Sequence, residues 1–208
     1  MSDIPYVELH AHSAFSFLDG ASTPLELAAA AAERGYPAFA LTDHDGVWGS
    51  MEFAHACKGL GVRAIAGAEV TVRLDRPTQR DTHLTLLVED PNGYRNLCRL
   101  LTAAHSHTRD NKGRSAEQPF VTLDQVEEHS EGLVCLSGCA GEGAVAGAWE
   151  RGEPEVGASL AKRLLAAFGR DRFRIELQRP YWRHDRARNR WLTGLAERLG
   201  VPCVATGN

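Results

Sequence analysis

Short apolar runs rich in β-branched residues recur along the chain, and most are followed by a longer segment whose apolar positions return every three or four residues. The runs predict strands at 6–10 (YVELH), 38–44 (AFALTDH), 63–70 (RAIAGAEV), 83–90 (HLTLLVED), 132–139 (GLVCLSGC), 173–178 (FRIELQ) and 201–208 (VPCVATGN). Helices are predicted at 23–35, 48–61, 91–104, 122–130, 154–169 and 183–200. The first carries its own punctuation. Thr23 stands as cap, Pro24 fits the first turn, Glu26 completes a capping box and Gly35 ends the helix. A polar loop is expected over 105–119.

Seven strands alternating with helices, with no shift of composition that would mark a linker, predict one α/β domain over residues 1–208 built from parallel βα units. A closed or nearly closed barrel suits the pattern better than an open sheet, because polar residues gather after so many different strands. In such barrels the chemistry sits at the carboxyl ends of the strands.

Composition narrows the class. With 43% hydrophobic and 24% charged residues the chain is that of an ordinary soluble globular protein. No apolar run approaches the length of a membrane span, and no secretory leader is visible before the first strand. The five cysteines (57, 98, 135, 139 and 203) form no CxxC pair, so a reduced, cytoplasmic, monomeric protein is expected. The net charge of −4 argues against a surface that grips nucleic acid all over. Residues 170–190 depart from it, with eight arginines against three acids. There Arg183, Arg186 and Arg190, near Tyr181 and Trp182, offer a contact to DNA or substrate phosphate; a solvated helix face is the rival reading.

The predicted strand ends hold His10 and His12, then Asp19 in the next loop, Asp43 and His44, Glu69, Cys139 and Asn208. In an extended strand, residues two apart project to one side, so His10 and His12 can share an ion. They can equally be polar residues where a strand meets its loop. His83 opens its strand instead of closing it and stands outside the rule. So many ligand-type side chains would each be costly to desolvate alone, and a shared group of cations would satisfy all of them. Imidazole and carboxylate suit Zn, Mn or Fe, and a thiolate favours Zn. A second HxH, His105 and His107, follows the helix after strand four and is expected on the opposite rim, away from the cluster. Cys135 is read as core, and His55 and His129 as surface or satisfied residues.

The stretches LHAHSAFSFLDG, ALTDHDG, AGAEV, THLTLLVED, LSGC and VATGN resemble, in order, the motifs of the PHP family of metal-dependent phosphoesterases. Several of the same stretches, with DPNGYRNLCRLLTAAH and ELQRPYWRHDRARNR, resemble the amino-terminal part of bacterial DNA polymerase III alpha subunits, most closely their error-prone branch. The resemblance implies a distorted seven-stranded βα barrel holding up to three divalent ions, Zn first, with Mn or Fe as alternatives. It implies that His10, His12 and Glu69 hold one ion, Glu69, His83 and Cys139 a second, and Asp19 with His44 a third. Asn208 stands where the family places an aspartate. The resemblance also implies that the chain is the carboxy-terminally truncated front of a larger DNA polymerase, contacting the rest of that polymerase and, through it, DNA. Two activities are compatible with it: a metal-dependent 3′–5′ exonuclease or phosphatase, and a non-catalytic platform that steadies the polymerase.

Overall fold

The computed structural model describes residues 6–74, 80–110, 113–114 and 117–208. Part of the expected 105–119 loop therefore lies outside the described residues. In chain order the elements are α1 (Pro24–Glu33), β1 (Ala38–Leu41), α2 (Ser50–Leu60), β2 (Arg63–Arg73), β3 (Thr82–Val88) and α3 (Pro91–His105). A two-residue pairing of β4 (Arg109–Asp110) with β5 (Gly113–Arg114) follows, then β6 (Val121–Thr122), α4 (Leu123–Glu128) and β7 (Leu133–Leu136). The chain continues with α5 (Ala146–Glu150), α6 (Pro154–Phe168), β8 (Phe173–Leu177), α7 (Asp185–Leu199) and β9 (Cys203–Ala205). Local chemistry sets the first helix as anticipated: Thr23 accepts from the Glu26 backbone at 3.3 Å while the Glu26 carboxylate accepts from the Thr23 N–H at 2.8 Å.

The main sheet runs β1-β2-β3-β7-β8-β9, with β6 on β2. The pairs β1/β2, β7/β8 and β8/β9 are parallel, as the alternation of strands and helices predicts. β3 is the exception, antiparallel to both of its neighbours. This corrects the all-parallel expectation. An apolar run such as LTLLV buries equally well in either direction, so its pattern carries no sign of its polarity. The expected opening strand is also reduced. Residues 6–11 make a single parallel bridge, Glu8 to Phe39, and lie along β1 through Ala40 N–H to Glu8 O at 2.8 Å and Thr42 N–H to Ala11 O at 2.9 Å.

The sheet curls. Ala40, Leu87 and Leu136 pack with Leu9, Ile65, Val134 and Val204 in one small cluster, which a flat sheet could not bring together. The opening segment joins its two ends: besides lying on β1, it receives the Gly207 N–H on the Glu8 carboxylate at 2.9 Å and the Asn208 N–H on the His10 carbonyl at 3.0 Å. The helices cover the outside. α3, α4, α6 and α7 bury Leu97, Leu100, Val126, Leu164 and Leu192 against the sheet, and α1 and α2 close over Phe39 and Leu41. Among the described residues no helix is long and apolar enough to cross a membrane.

The direction of β3 decides which side chains meet. Its first residues stand on the rim where the parallel strands end, so His83 is bridged to Gly143 there. α3 starts at the opposite rim and returns to this one. His105 is consequently on the cluster's side, its Nε2 2.8 Å from the carbonyl oxygen of Asp45. The expected placement of the second HxH on the far rim is overturned by this reversal.

Candidate metal centre

Glu69 is the hub. It sits near the middle of β2, bridged to His44, and its carboxylate is almost fully buried. Four imidazoles surround it: His10 Nε2 at 3.3 Å, His12 Nε2 at 3.4 Å, His44 Nδ1 at 3.1 Å and His83 Nδ1 at 3.5 Å. These come from the opening segment, the turn after β1 and the start of β3. Asp19 adds a second carboxylate at the exposed edge, 3.0 Å from His44 Nε2 and 3.6 Å from His12 Nε2. The rings pack tightly, His12 lying flat on His44 with centroids 4.4 Å apart.

Three sets of side chains have ligand atoms close enough to share an ion: His10, His12 and Glu69; His12, Asp19 and His44; His44, Glu69 and His83. Cys139 belongs to none of these but is buried, and its thiol is among the groups that raise the His83 ring. Asn208 meets the site through its main chain, at the His10 carbonyl. Arg183, Arg186 and Arg190 stand exposed at the start and on the outer face of α7. Between them, Arg188 is fully buried, bonded to Glu150 at 2.7 Å, Asp185 at 2.9 Å and the Gln178 carbonyl at 2.9 Å, so the arginine run is not one uniform face. Cys135 is core, as its alternation indicates.

Whether these residues fit a cation can be judged from their unmet needs. His12 Nε2 and Glu69 Oε1 are buried with no hydrogen-bond partner. Such atoms are costly in a folded interior unless something satisfies them. Burial, with His10 and His44 adding to it, pulls His12 down to about 4 against the opposing pull of Glu69, so its ring is neutral and its lone pair available. Burial alone would raise Glu69, yet the His10 and His83 rings beside it hold it well below the carboxylate range. A neutral imidazole nitrogen and an ionised carboxylate oxygen, both unpartnered and in one group of ligand atoms, are compatible with a divalent ion.

A supporting layer was not apparent in the sequence. Glu176, on β8, accepts from His10 Nδ1 at 2.7 Å, from Gln178 at 2.9 Å and from Thr206 at 2.6 Å. Asp43 is a buttress: it accepts from the Ser13 N–H at 2.7 Å and from the Ser13 and Ser16 hydroxyls at 2.9 Å, tying the loop after His12 to the end of β1. Glu8 accepts from the His10 N–H at 3.0 Å. The available signal for Glu176 was a lone acid in the middle of an apolar strand, since an unpaired carboxylate is seldom left there.

The PHP domain family matches residues 8–180. Among curated relatives, the error-prone DNA polymerase of Mycolicibacterium paratuberculosis is 43% identical over 99% of this chain and 19% of its own length. That of Symbiobacterium thermophilum is 39% identical over 98% and 19%. The DNA polymerase III subunit alpha of Treponema pallidum is 34% identical over 100% and 18%. The chain thus spans about a fifth of the length of these relatives. Among solved structures, an amidohydrolase from Chromobacterium violaceum with bound sulfate and no metal has a TM-score of 0.63 at 20% identity, covering 97% of this chain and 86% of its own. A protein of Bifidobacterium adolescentis assigned as a metal-dependent phosphoesterase has a TM-score of 0.62 at 17% identity, covering 99% and 87%. These two likenesses establish the barrel-type fold.

Proposed function

The chain belongs to the PHP domain family, and from that membership we propose that it is the amino-terminal domain of an error-prone DNA polymerase, binds divalent cations around Glu69, and hydrolyses phosphate esters there as a 3′–5′ exonuclease or phosphatase. The observation that carries the reading is the Glu69 carboxylate within 3.1–3.5 Å of four imidazoles, with a buried nitrogen and a buried oxygen of the group left unpartnered.

His10, His12 and Glu69 would hold one ion, and His44, Glu69 and His83 a second, with Cys139 beside His83 available to it. Asp19 and His44 would hold a third with His12. Zn is the first choice for this donor set, with Mn or Fe as alternatives. When bound, such ions supply Lewis acidity and ease deprotonation of water near neutral pH. The chain's own residues do the rest. Glu176 fixes His10 through Nδ1 and thereby directs Nε2 at Glu69. Ser16 holds the His44 N–H at 3.1 Å and sits 3.4 Å from His12 Nδ1, setting the stacked pair. Arg183, Arg186 and Arg190 would attract the phosphate backbone toward this rim.

The test is elemental analysis of the purified chain and of the full-length polymerase, followed by hydrolysis of single-stranded DNA and of a phosphate monoester with Zn or Mn added. Stoichiometric metal and turnover that falls at least a hundredfold in Glu69→Ala and His12→Ala are expected. Metal-independent turnover, or none in either protein, would reject it. Asn208 favours a second reading. It is a neutral amide where the family places a carboxylate, and a domain with such a ligand set would serve as a metal-stiffened platform for the polymerase, which the absence of turnover in metal-loaded protein would support.

A further inference from the structure

Beside the cluster lies a cavity of about 1190 Å3, bounded by the 45–48 loop, the carboxyl end of α3 and residues 117–119. Its walls are continuous with the cluster. Asp45 directly follows His44, and Phe17 precedes Asp19 by two residues. Trp48 stands at one side, its indole N–H donating to the His44 carbonyl at 3.4 Å and its ring meeting His105 edge-on at 5.8 Å. His105 in turn is held at 2.8 Å from the Asp45 carbonyl oxygen. Asp45 itself has φ of +46°, in the left-handed region that a residue with a side chain occupies only when its surroundings enforce it.

The lining chemistry selects the occupant. Among the described residues, no lysine or arginine lines it. Two aromatic faces are turned to solvent instead, Phe17 at 86% and Trp48 at 57% exposed. The lining also includes Thr102, Ser106, Gln118 and His105, with the acids Asp45 and Glu117. Flat faces for stacking, with donors and acceptors at the edges, are the complement of a nucleobase.

We propose that this cavity seats the base of the nucleotide whose phosphate is presented to the Glu69 cluster, so that the site acts on base-bearing ends of single-stranded nucleic acid in preference to simple phosphate esters. The proposal rests on the phosphoesterase reading for the position of the phosphate. It differs in what it requires of Trp48 and Phe17.

The experiment measures equilibrium binding of fluorescein-labelled tetranucleotides to the metal-free 208-residue chain, comparing a 3′ end that carries its base with a 3′ abasic end. The base-bearing end is expected to bind about tenfold more tightly, the scale of one stacked base. Trp48→Ala and Phe17→Ala should each bring the two affinities to within about twofold, Trp48→Phe should keep most of the gap, and Leu25→Ala, on the outside of α1, should keep all of it. Should Trp48→Ala lose its fold in a thermal melt, the solvent-facing Phe17 carries the test. Equal affinities for the two ends in the unaltered chain, or a full gap in both alanine variants, would overturn the proposal. Adding Zn or Mn separates the two readings. Base-selective binding without hydrolysis would sink the phosphoesterase reading alone, and hydrolysis indifferent to the base would sink this one.

Discussion

Glu176 makes the site's most consequential bond outside the cluster, a 2.7 Å contact to His10 Nδ1 between two fully buried side chains. An ionised carboxylate there fixes the imidazole's tautomer and orientation, leaving Nε2 free to act as a ligand. Glu176→Gln keeps the shape and the bond to Thr206 but removes the charge. Metal affinity, measured by competition with a chromogenic chelator, should drop about 10- to 100-fold, with the fold retained; an unchanged affinity would show that His10 needs no such partner. At this scale the sequence was informative where one rule applied. His10 and His12 were legible from their spacing of two, and Glu69 from its place near the end of an apolar run. Glu176 showed only as a lone acid in an apolar strand, because its partner lies 166 residues away. Asp43 was legible as a strand-end acid, but its bonds go to Ser13 and Ser16 of the loop after His12.

The loop after β7 shows how an element carries chemistry. Gly138 has φ of +92°, and a Cβ there would come within 2.3 Å of the His83 carbonyl oxygen. That close approach seats Cys139 beside His83. Gly138→Ala would meet a strained dihedral and a backbone clash together, with no flexible side chain to yield. A loss of about 2–4 kcal/mol in urea denaturation is expected, together with greater reactivity of the Cys139 thiol toward a maleimide as the loop is pushed outward. A loss below 1 kcal/mol would mean that the loop can re-route. The element pattern itself was largely legible: the six predicted helices and six of the seven apolar runs coincide with observed elements, the run at 6–10 being reduced to a bridge. The five-residue α5 was missed because GAVAGAWE is too short and glycine-rich to show a period. β3's direction was invisible for the reason that also misplaced His105: burial pattern reports which face is covered, while polarity is fixed by what the strand pairs with.

At the scale of the molecule, the cluster ties the opening segment to β1, β2 and β3, while Glu8 and Glu176 tie that segment and His10 to the chain's last residues and β8. Closure was foreseeable only as a fold class, because these contacts join residues 166 and 199 positions apart. The stability of the closed form should therefore answer to metal and to protons in opposite senses. Burial would lower His83, but hydrogen bonds with Cys139 and Glu69 raise it to about 10. A histidine raised above its unfolded value of about 6.5 stabilises the metal-free protein fully below that pH, and the contribution is lost as pH climbs through about 10. A bound cation requires the same ring neutral, so its affinity grows as protons leave. Metal-free protein should accordingly lose on the order of 2 kcal/mol between pH 6.5 and 8.5, while the increment gained on loading grows over the same interval. In paired thermal melts with chelator and with stoichiometric Zn, the gap between the two Tm values should widen by about 4–8 °C from the lower to the higher pH. His83→Gln should flatten the metal-free curve. A gap that stays constant or narrows would show that His83 does not exchange its proton for the ion, and that the β3 edge of the cluster holds the barrel closed without taking part in metal binding.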